Sequence, residues 1–182
     1  MAITRLQVAA THELSRDQNT ELDHFKLTSS YIQSFKNLHM ALRVITYGSP
    51  EYHQMVELRN EILRKPLGLV FSEDDLQRDL HDILIAAFDE DIMLACCILT
   101  EQDPEICKLR QMAVQKNLQG KGVGASIIHF AENVARDRGY RKIIMHARST
   151  VVGFYEKLGY STFGDPFEEV TIPHFSMQKT LI

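Results

Sequence analysis

The sequence of 182 residues is poor in cysteine and carries no excess of positive charge. Its three cysteines, Cys96, Cys97 and Cys107, are odd in number. Cys96 and Cys97 are adjacent in an apolar, strand-like run, so their side chains are expected on opposite faces. This argues against a disulfide scaffold and suits a reducing cytoplasm, the location expected for the chain. A net charge of −4 and an isoelectric point near 6.1 lack the basic footprint of a nucleic-acid partner. No apolar run approaches the length of a membrane span. The N-terminus has acids and polar residues but no apolar h-region, so no signal peptide is expected. The histidines show no metal-ligand spacing. His53, Glu57 and Glu61 share a helical face, but two acids and one imidazole do not make a metal site, and no metal is expected. Residues 1–39 contain neither glycine nor proline.

What is present begins with enough apolar residues, 45%, for one domain with a full core. Residues 1–39 read as an N-terminal extension, with Leu22, Phe25, Ile32 and Phe35 forming a thin amphipathic stripe that could dock on the domain or on a partner chain. Residues 40–182 read as the domain. Residues 41–47 alternate like a strand. Ser49 and Pro50 then open a helix that runs to Pro66. Ser72 caps a short acidic helix. Residues 82–88 and 92–100 are apolar strands joined by a tight acidic turn, and residues 106–114 form a third strand. A helix over 122–138 ends at Gly139. A strand over 141–147, a helix over 150–158 and two closing strands, 160–163 and 174–180, complete the chain, with Gly164-Asp165-Pro166 as the link between the last two. The order β-α-α-β-β-β-α-β-α-β-β predicts an α/β domain with a mixed, mostly antiparallel sheet of six to seven strands flanked by helices.

Two stretches carry the chemistry. The first is Gln119-Gly120-Lys121-Gly122-Val123-Gly124, between the strand ending at Val114 and the helix bearing Ile127, Ile128, Ala131 and Ala135. Alternate glycines permit unusual dihedrals and close backbone approach. A helix start leaves N–H groups unpaired, where the helix dipole favours an anion. The spacing matches neither the P-loop nor the dinucleotide fingerprint. It does match Q/R-x-x-G-x-G/A, and the stretch resembles the acetyl-CoA pyrophosphate loop of the GNAT superfamily of N-acetyltransferases. The second is Phe154-Tyr155-Glu156-Lys157-Leu158-Gly159-Tyr160, which is similar to a signature of the same superfamily. Leu58-Arg59, Leu63 to Leu69 and Ile172-Pro173-His174 resemble a small, largely uncharacterised bacterial branch of it. The resemblance spans about 41–180, and the element order is also that of the GNAT fold.

The resemblance implies a cytosolic acetyl-CoA-dependent N-acetyltransferase. It would act by direct attack of an amine on the thioester. Backbone groups of Met112, Ala113 and Val114 would pair with pantetheine and the acetyl carbonyl. The backbone from Gln119 to Gly124 would hold the diphosphate, with Lys121 adding charge. Tyr155 matches the residue that protonates the leaving thiolate, and a phenol is protonated at neutral pH. An Asn common in the family is replaced near Arg148 or Ser149. Candidates for the base are His174, expected in a turn pinned by Pro173, and Glu169, with Glu61 a further choice. Arg59 and Arg64, in the region that walls the acceptor site, would recognise an acidic group; the alternative is ordinary surface charge. Adjacent Cys96 and Cys97 raise a covalent route, against which buried strand cysteines are commonly inert. A non-catalytic acyl-CoA-binding module and a nucleotide-binding domain are the rival readings. The expected partner is a small-molecule or peptide amine, with neither nucleic acid nor membrane; the family's dimers leave a homodimer open.

Overall fold

Seven strands form one sheet in the order β1-β2-β3-β4-β5-β7-β6. A computed structural model of the chain describes residues 40–181, which fall in one compact unit. The expected N-terminal extension lies outside the described residues. The strands are β1 (Met40–Ile45), β2 (Ile83–Asp89), β3 (Ile92–Asp103), β4 (Ile106–Val114), β5 (Lys142–Arg148), β6 (Ser161–Glu169) and β7 (Ile172–Thr180). The helices are α1 (Pro50–Arg59), α2 (Glu73–Gln77), α3 (Val123–Asp137) and α4 (Val152–Glu156). The element order is the expected one.

Local chemistry explains the boundaries. Ser49 caps α1 by accepting from the Tyr52 N–H at 3.2 Å, and Pro50 fills the first turn, where its missing donor costs nothing. Ser72 and Asp75 form a capping box at the start of α2. After Arg59 the α1 helix widens into a π turn over Asn60–Arg64, then tightens over Lys65–Leu67 and stops at Gly68, φ +69°. The β2–β3 hairpin turns through Glu90 at positive φ.

The sheet is antiparallel except between β4 and β5, which are parallel. One face lies under α1. There Leu84, Ala86, Phe88, Cys96, Ile98 and Ala113 pack with Tyr52 and Met55. The other face is covered by α3, whose Ile127 and Ile128 are fully buried. Each of those side chains contributes about 1.5–3 kcal/mol of apolar burial.

Two expectations are corrected. Gly164-Asp165-Pro166 does not link two strands. It lies inside β6, where the register against β7 shifts between Phe163 and Phe167, and the chain reverses instead at Val170 and Thr171, both at positive φ. A bulge admits the proline by interrupting the ladder there. The helix expected over 150–158 is a 3₁₀ turn, Ser149–Val151, followed by the short α4.

Candidate functional site

The site is built around a place where the sheet comes apart. β4 and β5 pair only from Ile106 with Lys142 to Leu109 with Met145. Beyond those pairs the two strands separate, leaving one backbone edge of β4 unpaired over residues 110–114. A bulge opens the split. Between the Ile98–Arg110 and Cys96–Ala113 pairs β4 has one residue more than β3, and Gln111 there adopts φ +54°. The bulge re-aims the side chains. Arg110 and Ala113 face α1, whereas the Met112 side chain reaches the start of α3, with its Cε 3.4 Å from where a Cβ on Gly124 would lie. Phe154 of α4 stands equally close to that point. Met112, Gly124 and Phe154 thus bring β4, α3 and α4 together beside the split.

The glycine loop follows directly. The Gln119 amide donates to the Val114 carbonyl at 3.1 Å and holds the loop against the strand end. Gly120 and Gly122 sit at φ +75° and +87°, a region that disfavours residues with a Cβ. Gly122 is the N-cap of α3 and offers no side-chain acceptor. The first intrahelical bond is donated by the Ser126 N–H to the Gly122 carbonyl at 3.0 Å. The N–H groups of Val123, Gly124 and Ala125 therefore project from the helix end, an arrangement that accepts an anion. Val123 turns its side chain into the core and Lys121 is exposed.

Tyr155 of α4 is buried, 6% exposed, with its ring edge-on to Phe154 and Tyr160. Among the described residues no group hydrogen-bonds its hydroxyl. Burial, with a smaller contribution from Cys97, pushes the phenol above its ordinary range, so it holds its proton. Burial also pushes the Cys96 thiol up to about 12 and Cys97 well above the usual value.

On the α1 side the structure gives Arg59 a role not foreseen. Arg59 is fully buried and so is not an ordinary surface charge. Its Nη1 is 2.6 Å from Asp79, itself buried, which also accepts from Tyr52 at 2.9 Å and from Arg110 at 2.9 Å. Arg110 further contacts Asp82 and donates to Thr100 at 2.7 Å. The guanidinium of Arg59 lies 4.5 Å and that of Arg64 4.4 Å from the Phe71 ring centroid, each as a cation–π contact. This network ties α1 and the turn after α2 to Arg110, the residue before the bulge. No isolated sequence signal marks Asp79, because its importance comes from a tertiary contact.

The base candidates also move. His174 is not in a turn. It lies within β7, 8% exposed, between Arg148 of β5 and Phe167 of β6, and its Nδ1 donates to the Ile172 carbonyl at 2.7 Å. Glu169, at the exposed end of β6, contacts Nδ1 of His146 at 3.0 Å. Glu61 is exposed and engaged by Lys65 at 2.8 Å and Lys116 at 3.3 Å. It borders an open cleft of about 700 Å³ between α1, the start of β3 and the segment after β4. Among the described residues no group of three or more His, Cys, Asp or Glu side chains could hold a metal ion.

The family model of the GNAT acetyltransferase domain matches residues 59–181. A Bacillus subtilis protein bearing an acetyltransferase name is 33% identical over 145 residues, which cover 77% of this chain and 96% of that protein. A solved N-acetyltransferase structure from Lactobacillus plantarum aligns with TM-score 0.68 at 23% identity, covering 78% of this chain and 99% of that one. An aminoglycoside 6'-N-acetyltransferase complexed with coenzyme A aligns with TM-score 0.67 at 16% identity, covering 78% and 97%. At these identities the solved structures speak for the fold.

Proposed function

Because the chain belongs to the GNAT acetyltransferase family, we propose that it moves an acetyl group from acetyl-CoA to a primary amine by direct attack, without an acyl-enzyme. The observation that carries this reading is the split between β4 and β5, with its unpaired β4 edge leading into the glycine loop.

The residues suit acetyl-CoA. The projecting N–H groups of Val123, Gly124 and Ala125 would take the diphosphate, and Gln119 to Gly122 would form its near wall. The backbone of Met112, Ala113 and Val114 would pair with the pantetheine arm, aligning the thioester carbonyl. The amine nitrogen attacks that carbonyl carbon, the carbon–sulfur bond breaks, and the thiolate leaves. Tyr155 is the proposed donor of a proton to that thiolate. Its buried, proton-retaining hydroxyl supports the role, as does its place beside Phe154, which borders the split.

Burial of Cys96 and Cys97 supports the direct route. At neutral pH a thiol titrating near 12 offers almost no thiolate, the form that would attack a thioester. Arg59 is buried and engaged by Asp79, which supports a reading in which other groups near the split choose the acceptor. The test is a screen of purified protein with acetyl-CoA and a panel of amines, reading free CoA thiol. Turnover with at least one amine, and an acetylated amine by mass spectrometry, is the expected result. Acetyl-CoA binding without turnover on any amine would refute the reading.

A further inference from the structure

We infer that His146 is the general base that takes the proton from the acceptor amine, and that Glu169 holds its imidazole in place. This rests on the acetyl-transfer reading and specifies the proton acceptor which that chemistry requires.

Met145 is the last β5 residue paired to β4, so His146 is the first beyond the pairing and stands at the throat of the split. Strand alternation places it opposite Met145 and Ala147, which are buried. Its face is that of Lys108 and Arg110, the α1 side, whereas Tyr155 belongs to α4 near the α3 side. A proton donor and a proton acceptor thus stand on opposite sides of the sheet opening. A thiolate leaving on one side and an amine arriving on the other need that division.

The surroundings of His146 suit a base. Nδ1 lies 3.0 Å from the Glu169 carboxylate. With the Nδ1 proton donated to Glu169, Nε2 keeps its lone pair. The ring rests edge-on against Phe167 at 4.8 Å between centroids, and Phe167 stacks on His174. This packing fixes the ring plane while the side chain stays 37% exposed, open to an entering amine. The Lys108 amino group lies 3.3 Å from both ring nitrogens, so a primary amine already stands against the ring here. Burial lowers the Lys108 pKa, opposed by Glu169 and reinforced by Arg110. The charged or titratable groups around the ring are therefore Lys108 and Arg110 on β4, Arg148 on its own strand, Glu169 on β6 and His174 on β7.

The step balances. Nε2 of His146 accepts a proton from the ammonium form of the acceptor. The freed nitrogen lone pair forms the C–N bond as the C–S bond breaks, and the thiolate receives its proton from Tyr155. The second proton, shed by the new amide nitrogen, returns through solvent to the Tyr155 phenolate, and the imidazolium of His146 releases its proton to solvent, so one proton is set free per turnover. An imidazole nitrogen with a free lone pair can take up a proton and pass it to solvent.

The test compares the wild-type chain with His146→Gln and Glu169→Gln. Each is assayed by CoA release from pH 6 to 9 with the best alkyl amine of the panel and with hydroxylamine, which is already neutral at pH 7. His146→Gln should lower kcat/KM for the alkyl amine by about 10²-fold near pH 7 and by less than about threefold for hydroxylamine. Its loss for the alkyl amine should shrink as pH rises and the free amine accumulates. Glu169→Gln should cost about tenfold with the same dependence on nucleophile. Acetyl-CoA affinity by calorimetry should stay within about twofold in both variants, because neither residue reaches the glycine loop. Wild-type turnover with an unchanged His146→Gln rate overturns the base assignment and leaves acetyl transfer standing. Equal losses with both nucleophiles also overturn it, since they indicate a structural role. If the wild type turns over no amine at all, acetyl transfer and this assignment fall together.

Discussion

Asp79→Ala should be among the most destabilising single substitutions in the domain. Asp79 is fully buried and accepts from Arg59, Arg110 and Tyr52. Removing it strands the Arg59 guanidinium, also fully buried, whose Nε and Nη2 already lack hydrogen-bond partners. Arg110 keeps Asp82 and Thr100 and is less affected. Loss of one partner of a buried pair costs about 3–5 kcal/mol, mainly because the remaining charge has no compensation. A domain of this size loses roughly 3 °C of Tm per kcal/mol, so a fall of roughly 9–15 °C is expected by thermal unfolding. Replacing both charges, with Arg59→Met and Asp79→Leu, should recover most of that fall, because the desolvation cost disappears with the charges. A fall below about 3 °C for Asp79→Ala, or a double variant no more stable than the single one, would refute this account of the network.

Other outcomes follow from the site. Tyr155→Phe should reduce kcat by about 10²-fold with acetyl-CoA affinity unchanged by calorimetry. Because burial raises the Tyr155 phenol, the group stays protonated through the alkaline range, and the wild-type rate should show no descending limb from it below about pH 10. Gly122→Ala meets open space, so its cost is the dihedral alone, about 1–2 kcal/mol at φ +87°. That cost should appear as weaker acetyl-CoA binding in calorimetry. The Cys96→Ala/Cys97→Ala pair should retain turnover, since both thiols are buried and held protonated. Loss of turnover with retained acetyl-CoA binding would instead favour an acyl-enzyme.

Legibility from sequence followed the range of the interactions. Ser49-Pro50, Ser72 and the glycine loop act within a few residues, and their caps and dihedrals stand where the sequence places them. β4 was legible to its ends because its apolar run is bounded by turn residues on both sides. The bulge at Gln111 carries no glycine to mark it, so nothing in the residues themselves shows where the sheet splits. Gly164-Asp165-Pro166 reads as a turn, yet β7 supplies a register that turns it into a bulge. Arg59 shows the same limit. Its charge predicts exposure, and only Asp79, 20 residues later in the chain, makes its burial affordable. His146 and Glu169 are separated by 23 residues, and the strand order β5-β7-β6 brings them together.

A crystal structure with acetyl-CoA tests the central claim most directly. The account predicts the diphosphate on the N–H groups of Val123, Gly124 and Ala125, the pantetheine arm along the unpaired edge of β4, and the thioester in the split between Tyr155 and His146. A cofactor bound elsewhere, or with its thioester outside the split, would contradict it.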